Sequence, residues 1–558
     1  MKRIYALLTI LSVCAVAPVA VAAQNGAADL VVTNANIRTM DAKRTVARSM
    51  AVIGRKIKAI GSDAEIKPWI GPGTRVIDAG GRTVIPGFND AHLHFMSTGA
   101  QRSQVDLGKG VTSAAEFVRR LKEFAAKLPK GRWIEGGRWD HENWTPAELP
   151  TAAMIDAATP DNPVFVSRLD GHMSLANSLA MKQAGVDKNT KDVAGGEIVR
   201  DAAGNPTGIF KDTAESYIDR VIPNPSFEEK MEQAVAATEY AASLGITSAQ
   251  EMGSSALDIG VYQELLRQGR LKTRLYACTP LAVFKRWQDV GVRQAFGTPM
   301  LRVGCLKGYA DGSLGSTTAW LFDPYADAPN TSGLPRADVT TTMKQNIIDA
   351  DKAGLQVNIH AIGDRSNAVI LDYYGSLDEA NGARDRRFRI EHAQHLRQED
   401  IPRFGKLKVV ASMQPMHVYD DGKWAGKRIG PARLKGTYAF RTLLDTGAVL
   451  AFGSDSPVAN LNALFGIYAA VTRQTSDLKN PTGWVPEQKI TVDEAVRAFT
   501  WGSAYAEFQD DEKGTLEVGK LADFVILSAD IFTIDASKIR EVKVLTTVVD
   551  GKVVFDAK

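Results

Sequence analysis

Two histidines separated by one residue are the feature of this chain best suited to chemistry. His92 and His94 close an apolar run that begins at Pro86. Residues two apart in a β-strand face the same side, so both imidazoles would point to one place. Converging imidazoles are typical of divalent-metal sites. Two ordinary polar strand residues would produce the same pattern, so the other histidines among the chain's 8 must decide.

Three further apolar runs end in residues that can bind a metal. His360 and His392 each end one run, and Asp455 follows another. In a closed parallel barrel the carboxyl ends of the strands surround one mouth, where active sites lie. A strand-end histidine is often simply hydrogen-bonded. The joint pattern nevertheless favours a shared metal site with His92 and His94.

Apolar runs alternate with stretches of helical period over most of the chain. Such alternation predicts a parallel sheet covered by helices. Eight runs match the number of strands that a (β/α)8 TIM barrel requires. They are residues 83–92, 245–252, 273–279, 302–310, 356–360, 388–391, 409–413 and 448–453.

The rest of the chain predicts two additions to this α/β barrel. Short strand-like segments near both ends indicate a small β-sandwich built from residues 24–84 and 506–558, with the barrel over 85–505. The stretch from about 98 to 240 is too long for a loop after the first strand. We therefore expect an inserted subdomain there.

The first 23 residues have the pattern of a signal peptide. Lys2 and Arg3 precede a short apolar segment, and small residues follow it, with cleavage after Ala22 or Ala23. The apolar span is too short for a membrane anchor. We expect an exported, periplasmic or secreted protein with no membrane partner once the signal is removed.

Composition excludes some partners. The 558-residue chain is 44% hydrophobic and 23% charged, as in soluble globular proteins. Removing Lys2 and Arg3 lowers the formal charge from +3 to +1, and no basic run suggests nucleic-acid binding. Cys278 and Cys305 are too few for a disulfide framework. The oligomeric state stays open, a homodimer included.

Further sequence motifs accompany the candidate ligands, in a specific order, over nearly the whole mature chain. They are DGH at 170–172, NS at 177–178, GGEIVRD at 195–201, GNPTG at 204–208, KGYADGSLGS at 307–316, GSDSPV at 453–458 and GTLEVGKLAD at 514–523. With them the chain resembles the amidohydrolase superfamily. The similar branch is amidohydrolase family 3, which includes N-substituted formamide deformylase.

The resemblance implies a set of metal ligands. They are His92, His94, Lys307, His360, His392 and Asp455. His92, His94 and Asp455 would hold the more buried ion. His360 and His392 would hold the second. Lys307 would bridge both ions as a carbamate, because a free ammonium has no lone pair. The alternative is a plain lysine paired with Asp311, with only one metal.

The resemblance also implies an activity. It indicates a Zn²⁺ amidohydrolase, with one or two divalent ions, that cleaves an amide-type C–N bond of a small molecule by a metal-activated hydroxide. Asp455 would serve as general base and then general acid. His172 would contact substrate or stabilise the oxyanion, or else only hold its own loop. His141 and His417 have no evident partner, and His395 is expected behind the ligands or facing solvent.

Two other functions stay open. The same centre could hydrolyse an ester, lactone or phosphoester. Alternatively, the barrel could be a non-catalytic binding protein, for which little or no bound metal is expected. The identity of the substrate cannot be predicted, since specificity in such barrels lies in loops.

Overall fold

The computed structural model describes residues 26–168, 173–193 and 196–557. Its strands form a parallel barrel sheet, one sheet of amino-terminal strands, one sheet that combines strands from both ends of the chain, and one sheet inserted after the first barrel strand. The predicted α/β class and barrel architecture are therefore confirmed. Within these ranges no helix has the length and apolar character needed to cross a bilayer. The predicted signal, residues 1–23, lies outside the described residues.

The first seven strands build most of the sandwich. They are β1 (Leu30–Thr33), β2 (Asn36–Arg38), β3 (Val46–Ala47), β4 (Ser49–Ile53), β5 (Lys56–Gly61), β6 (Arg75–Asp78) and β7 (Thr83–Pro86), with helix α1 (Asp63–Ile66) between β5 and β6. One sheet has the order β5-β4-β1-β6. The remaining three strands join a sheet completed at the other end of the chain.

The first barrel strand, β8 (Phe88–Leu93), leads into helix α2 (Phe95–Ser103) and then into the inserted sheet. The inserted strands are β9 (Val105–Asp106), β10 (Gly136–Trp139), β11 (Phe165–Arg168), β12 (Met173–Ala176), β13 (Gly196–Arg200) and β14 (Pro206–Asp212). The helices of this region are α3 (Ala114–Ala125), α4 (Ala152–Asp156), α5 (Ser178–Ala184), α6 (Ser216–Asp219) and the returning α7 (Phe227–Ser243). The sheet order is β13-β14-β12-β11-β10-β9.

The other barrel strands follow in sequence. They are β15 (Ile246–Met252), β16 (Arg274–Pro280), β18 (Leu301–Tyr309), β19 (Gln356–Ala361), β20 (Arg389–His392), β21 (Val410–Met413) and β22 (Leu450–Phe452), while the short β17 (Phe296–Gly297) pairs antiparallel beside β18. The path β22-β21-β20-β19-β18-β16-β15-β8 is parallel throughout. All eight predicted strand segments contribute to it.

Helices cover the outside of the barrel. They are α8 (Ala256–Arg267), α9 (Phe284–Asp289), α10 (Met343–Lys352), α11 (Asp364–Gly375), α12 (Leu377–Asn381), α13 (Ile401–Leu407), α14 (Pro415–Asp421), α15 (Ala425–Ile429), α16 (Phe440–Asp445), α17 (Ala463–Thr472), α18 (Val492–Arg497) and α19 (Ser503–Ala506). Their buried apolar side chains and those of the strands form one continuous core.

The end of the chain completes the sandwich. Strands β23 (Phe524–Leu527), β24 (Val544–Val549) and β25 (Lys552–Asp556) give the sheet order β25-β24-β23-β7-β2-β3. Val32 and Val52 from the first half share a buried cluster with Phe524 and Val548 from the second. Both termini are therefore needed for this core.

The predicted first strand, 83–92, is two strands rather than one. Thr83–Pro86 pairs with β23 of the sandwich, while Phe88–Leu93 pairs with β15 of the barrel. Gly87 lies between them, and a Cβ there would stand 2.1 Å from the Thr247 side chain. The apolar run hid this break because both strands are buried on each face.

The barrel closes through the segment after β22. The amide of Ser454 donates to both carboxylate oxygens of Asp90 at 3.0 and 3.1 Å. The Asp455 amide donates to the His92 carbonyl at 2.7 Å. A Cβ on Gly453 would lie 2.4 Å from the backbone nitrogen of His92. The close approach of the two backbone segments therefore requires glycine at this position. Closure thus places Asp455 beside the first strand.

Two cysteines of the described residues form one bridge inside the barrel. Cys278 of β16 and Cys305 of β18 lie opposite each other in the parallel register, with Cα atoms 4.5 Å apart. Both are fully buried. Sequence composition excluded a disulfide framework, and a single cross-strand bridge is compatible with that.

Removal of this bridge should lower stability. We expect the variant Cys278→Ala/Cys305→Ala to lose roughly 3 kcal/mol of unfolding free energy, because the bridge closes a long loop in the unfolded chain. Urea unfolding measures the loss. Reductant should destabilise the wild type and leave the variant unchanged. Two free thiols in unreduced, urea-unfolded wild type would contradict the bridge.

Candidate metal centre

The site lies at the mouth of the barrel, around the carboxylate of Asp455. Its Oδ1 stands 3.4 Å from Nε2 of His92 and 3.3 Å from Nε2 of His94. One ligand atom from each of these three residues lies within 4.8 Å of the others. His92 and Asp455 are buried, and His94 is partly exposed. The structure thus brings together three of the predicted ligands.

Backbone geometry aims these side chains. His92 is part of β8, and His94 precedes the first turn of α2. Asp455 and His392 have φ of 59° and 73°, in the left-handed region that residues with a side chain seldom adopt. Such conformations persist where the surroundings enforce them, and they cluster at functional sites.

The ring of His92 is held by a buried carboxylate. His92 Nδ1 is 2.6 Å from Oε2 of Glu391, which also accepts the Ser412 hydroxyl at 2.6 Å. Arg389 Nε pairs with the other oxygen at 2.7 Å. A carboxylate behind one ring nitrogen fixes the tautomer and turns the other nitrogen toward a metal. His92 Nε2 is therefore the ring atom available to a metal.

The site favours a neutral imidazole at His92 and an ionised carboxylate at Asp455. Burial alone would lower the pKa of His94, but its hydrogen bond with Asp455 and the charge of that carboxylate raise this pKa above its ordinary value. Burial and the nearby Lys307 lower the pKa of His92 to about 4. Burial alone would raise the pKa of Asp455, but hydrogen bonding to His94 and the charges of His92 and His417 hold that pKa well below its ordinary value. Metal ligation requires these two protonation states.

His392 and His360 approach the same place from strands β20 and β19. The His392 ring centroid is 4.8 Å from that of His92 and 4.5 Å from that of His360. Burial lowers the pKa of His392 well below the ordinary value. His360 Nε2, however, lies 3.0 Å from the Gly312 carbonyl oxygen. His360 is therefore near the site but turned toward the backbone.

Lys307 is buried beneath these rings. Its Nζ lies 4.9 Å from the centroid of the Tyr309 ring and has no hydrogen-bond partner among the described residues. Asp311, the alternative partner, instead accepts three backbone amides, from Trp320, Ile362 and Gly363. Burial lowers the pKa of Lys307 to about 8.

The donor set fits a divalent cation. At the mouth of the barrel, four buried side-chain nitrogens lack a hydrogen-bond partner among the described residues: His92 Nε2, Lys307 Nζ, His392 Nδ1 and His417 Nε2. Buried polar atoms are normally paired, so such a cluster needs an explanation. Imidazole nitrogen with carboxylate oxygen is a combination that Zn²⁺ and similar ions bind.

Other sequence candidates are spread more widely. His172 lies outside the described residues, so its predicted role stays a prediction. The His141 ring lies 6.0 Å from the Trp139 ring in the inserted region, with 60° between their planes. His395 is buried rather than solvent-facing: Nδ1 is 3.0 Å from the Thr437 hydroxyl, and Nε2 is 3.1 Å from the Gln394 amide nitrogen.

Two residues near the site were missed from the sequence. Glu391 directly precedes His392, yet as a strand residue it resembled any buried core position. His417 follows a predicted strand by four residues, on α14, so the rule of seeking ligands at strand ends passed over it. A histidine just after a strand end, preceded by Gln414 and Pro415, was the available signal.

Comparisons with known proteins identify the family of the chain. The model of the amidohydrolase family (Amidohydro_3) matches residues 75–555. The chain is 40% identical over 542 residues to Protein LONG AFTER FAR-RED 3 of Arabidopsis thaliana, covering 95% of this chain and 92% of the relative. It is 27% identical over 539 residues to N-substituted formamide deformylase of Arthrobacter pascens, covering 94% and 97%.

A solved structure is similar to this chain over most of its length. An uncharacterized metal-dependent hydrolase from Pyrococcus furiosus superposes with a TM-score of 0.74 at 28% identity, covering 90% of this chain and all of that one. The family match extends over most of the chain and includes every residue of the site described above. The chain therefore belongs to the amidohydrolase family of metal-dependent hydrolases.

Proposed function

We propose that this protein hydrolyses an amide-type C–N bond in a small molecule. The observation that carries the proposal is the buried Asp455 carboxylate within 3.4 Å of His92 Nε2 and 3.3 Å of His94 Nε2. The likeness to a formamide deformylase along 94% of the chain supports the choice of bond. Zn²⁺ is the ion that the imidazole and carboxylate donors favour.

Metal binding and proton transfer would fall to different side chains of the site. A bound divalent cation would acidify water and polarise the substrate carbonyl. His92 and His94 would hold the cation, and Glu391 keeps the His92 ring in place. Asp455 Oδ takes a proton from the attacking water and delivers it to the departing nitrogen, a general base that becomes a general acid.

A substrate panel tests the proposal. Purified protein is stripped with a chelator, reloaded with Zn²⁺, and assayed against formamides, N-acyl amino acids, other amides, lactones, esters and phosphoesters. We expect amide-type substrates to give the highest kcat/KM and the stripped protein to be inactive. Preference for esters, lactones or phosphoesters would replace the proposed bond. A protein that binds no metal and turns over nothing would favour the binding-protein alternative.

Lys307 should react with carbon dioxide more readily than an ordinary lysine. At pH 7 a lysine with a pKa of about 8 is roughly 10% neutral, against about 0.03% for a free lysine. The neutral amine adds to CO₂ and releases one proton, which leaves an anionic carbamate that can bridge two ions. At constant dissolved CO₂, we expect carbamate occupancy in metal-free protein to rise as pH increases through about 8.

Carbon-13 NMR with labelled CO₂ measures this occupancy. Lys307→Ala should remove the signal. Lys513→Met is the matched control, since Lys513 is equally buried but pairs with Glu507 at 2.8 Å and Ser248 at 2.6 Å. A signal retained in Lys307→Ala would contradict the assignment.

We also propose that the protein works after export, without a nucleic-acid or membrane partner. The signal-like pattern of residues 1–23 supports export. The Cys278–Cys305 bridge supports it independently, since such bridges persist mainly in oxidising compartments. Amino-terminal sequencing of the protein from an exported fraction should begin at residue 23 or 24, and a full-length cytosolic chain would contradict export.

A further inference from the structure

A second group of metal-binding side chains lies next to the first. Ligand atoms of His392, His417 and Asp455 lie within 4.8 Å of one another. His417 is on α14, the helix that follows the seventh barrel strand. The family resemblance implies no ligand from this helix.

The two oxygens of Asp455 face different groups. Oδ1 is 3.4 Å from His92 Nε2 and 3.3 Å from His94 Nε2, whereas Oδ2 is 3.7 Å from His417 Nε2. A carboxylate can ligate through each oxygen separately. Asp455 is thus placed to serve two neighbouring cations, one on each side.

The histidines on the Oδ2 side have ligand atoms without another use. His392 Nδ1 and His417 Nε2 are both buried and lack a hydrogen-bond partner within the described part of the chain. At 3.7 Å the Asp455 contact of His417 is too long for a hydrogen bond. The rings of His392 and His417 are nearly parallel, with 13° between their planes and centroids 6.2 Å apart. Nitrogens on two such rings can approach an ion placed between them and Asp455.

Unlike His417 Nε2, the Nε2 atom of His360 already has polar partners. It lies 3.0 Å from the carbonyl oxygen of Gly312 and 3.4 Å from Oδ1 of Asp311. The protein therefore already satisfies His360 Nε2, whereas it leaves His417 Nε2 unpaired. Of these two histidines, His417 is the better prepared for a cation.

The helix that carries His417 is fixed on the side of His392. Asp421, one turn further along α14, accepts the Tyr438 hydroxyl at 2.7 Å and the Gln394 side-chain amide at 3.0 Å. Gln394 follows His392 by two residues. This link ties the helix to the loop that holds His392, so both rings keep their relative placement.

We propose that His417 is a direct ligand of a second divalent-cation position, formed with His392 and with the Oδ2 of Asp455. The first position is formed by His92, His94 and Oδ1. This inference rests on the proposed metal-dependent hydrolysis, which it deepens by assigning a ligand. The second position takes Zn²⁺ or another ion that accepts nitrogen and oxygen donors, such as Co²⁺.

Metal stoichiometry of one variant tests the assignment. Wild type, His417→Gln and the control His395→Gln are loaded with Zn²⁺, dialysed and analysed by elemental mass spectrometry, and a chelator competition gives the affinities. His395 is a suitable control because it is a buried histidine three residues after His392 whose two ring nitrogens already have partners. Circular dichroism and melting temperature establish that each variant is folded.

We expect two equivalents of Zn²⁺ in wild type and His395→Gln, and one in His417→Gln. X-ray absorption at the zinc edge should show fewer imidazole ligands per protein in His417→Gln. The assignment is overturned if His417→Gln binds two ions with wild-type affinity, or if wild type binds only one ion. Either result leaves the proposed hydrolysis intact. Absence of any bound ion from wild type would instead overturn the proposed function.

Discussion

Replacing Asp455 with asparagine should lower kcat by about 10³-fold, with a smaller loss of bound metal. General acid–base catalysis contributes typically about 10²–10⁴-fold. The amide of asparagine cannot accept the proton that the carboxylate takes, while His92 and His94 still offer their Nε2 atoms. Turnover of the best amide substrate from the panel, measured together with zinc content, separates the two effects.

A control from the same region is needed for Asp455→Asn. Asp90 is unsuitable because it holds the barrel closed through Ser454. Asp364→Asn is better, since Asp364 is also a buried carboxylate, begins the helix that follows barrel strand β19, and accepts the Phe322 amide at 2.9 Å. Equal kcat in Asp455→Asn and wild type, at equal metal content, would refute the role of Asp455 in proton transfer.

The double variant His92→Ala/His94→Ala should lose the cation of the first position and, with it, activity. Removing even an outer hydrogen-bond partner of a ligand costs about 10–100-fold in metal affinity, so removing two ligands should cost more than about 100-fold. We expect turnover at the uncatalysed rate even with added Zn²⁺. Elemental analysis and the amide assay measure both losses.

His141→Ala is the matched control for the double variant. His141 is a histidine of the inserted region whose ring contact is with Trp139, at 6.0 Å between centroids. We expect it to keep wild-type metal content and turnover. Unimpaired hydrolysis in His92→Ala/His94→Ala would show that the reaction does not use this cation position, and the proposed function would then fail.

The barrel was predictable because its strands differ sharply from their surroundings. Short apolar runs between helical stretches mark buried parallel strands, and each of the eight runs contributes to the sheet. The break at Gly87 was not predictable, because β7 and β8 are both buried throughout. Only a contact distant in sequence, with Thr247, gives that glycine its role.

The site was likewise predictable where the local sequence decides a residue's position, and not where contacts between distant segments decide its role. His92, His94 and Asp455 follow from their position at strand ends. The roles of Glu391 and His417 depend on which side chains meet across the mouth: Glu391 lies 299 residues from His92, and they meet only after folding. The orientation of His360 likewise depends on the Gly312 carbonyl, which no spacing rule anticipates.

The seam between the last barrel strand and the first has a consequence for the order of assembly. The Asp455 amide is bonded to the His92 carbonyl, and Ser454 is bonded to Asp90. A growing chain that has not yet added residue 455 can offer imidazoles but no carboxylate between them. Tight cation capture is therefore one of the last events in maturation, and a zinc-sensitive dye competing during refolding would record when the ring of strands becomes complete.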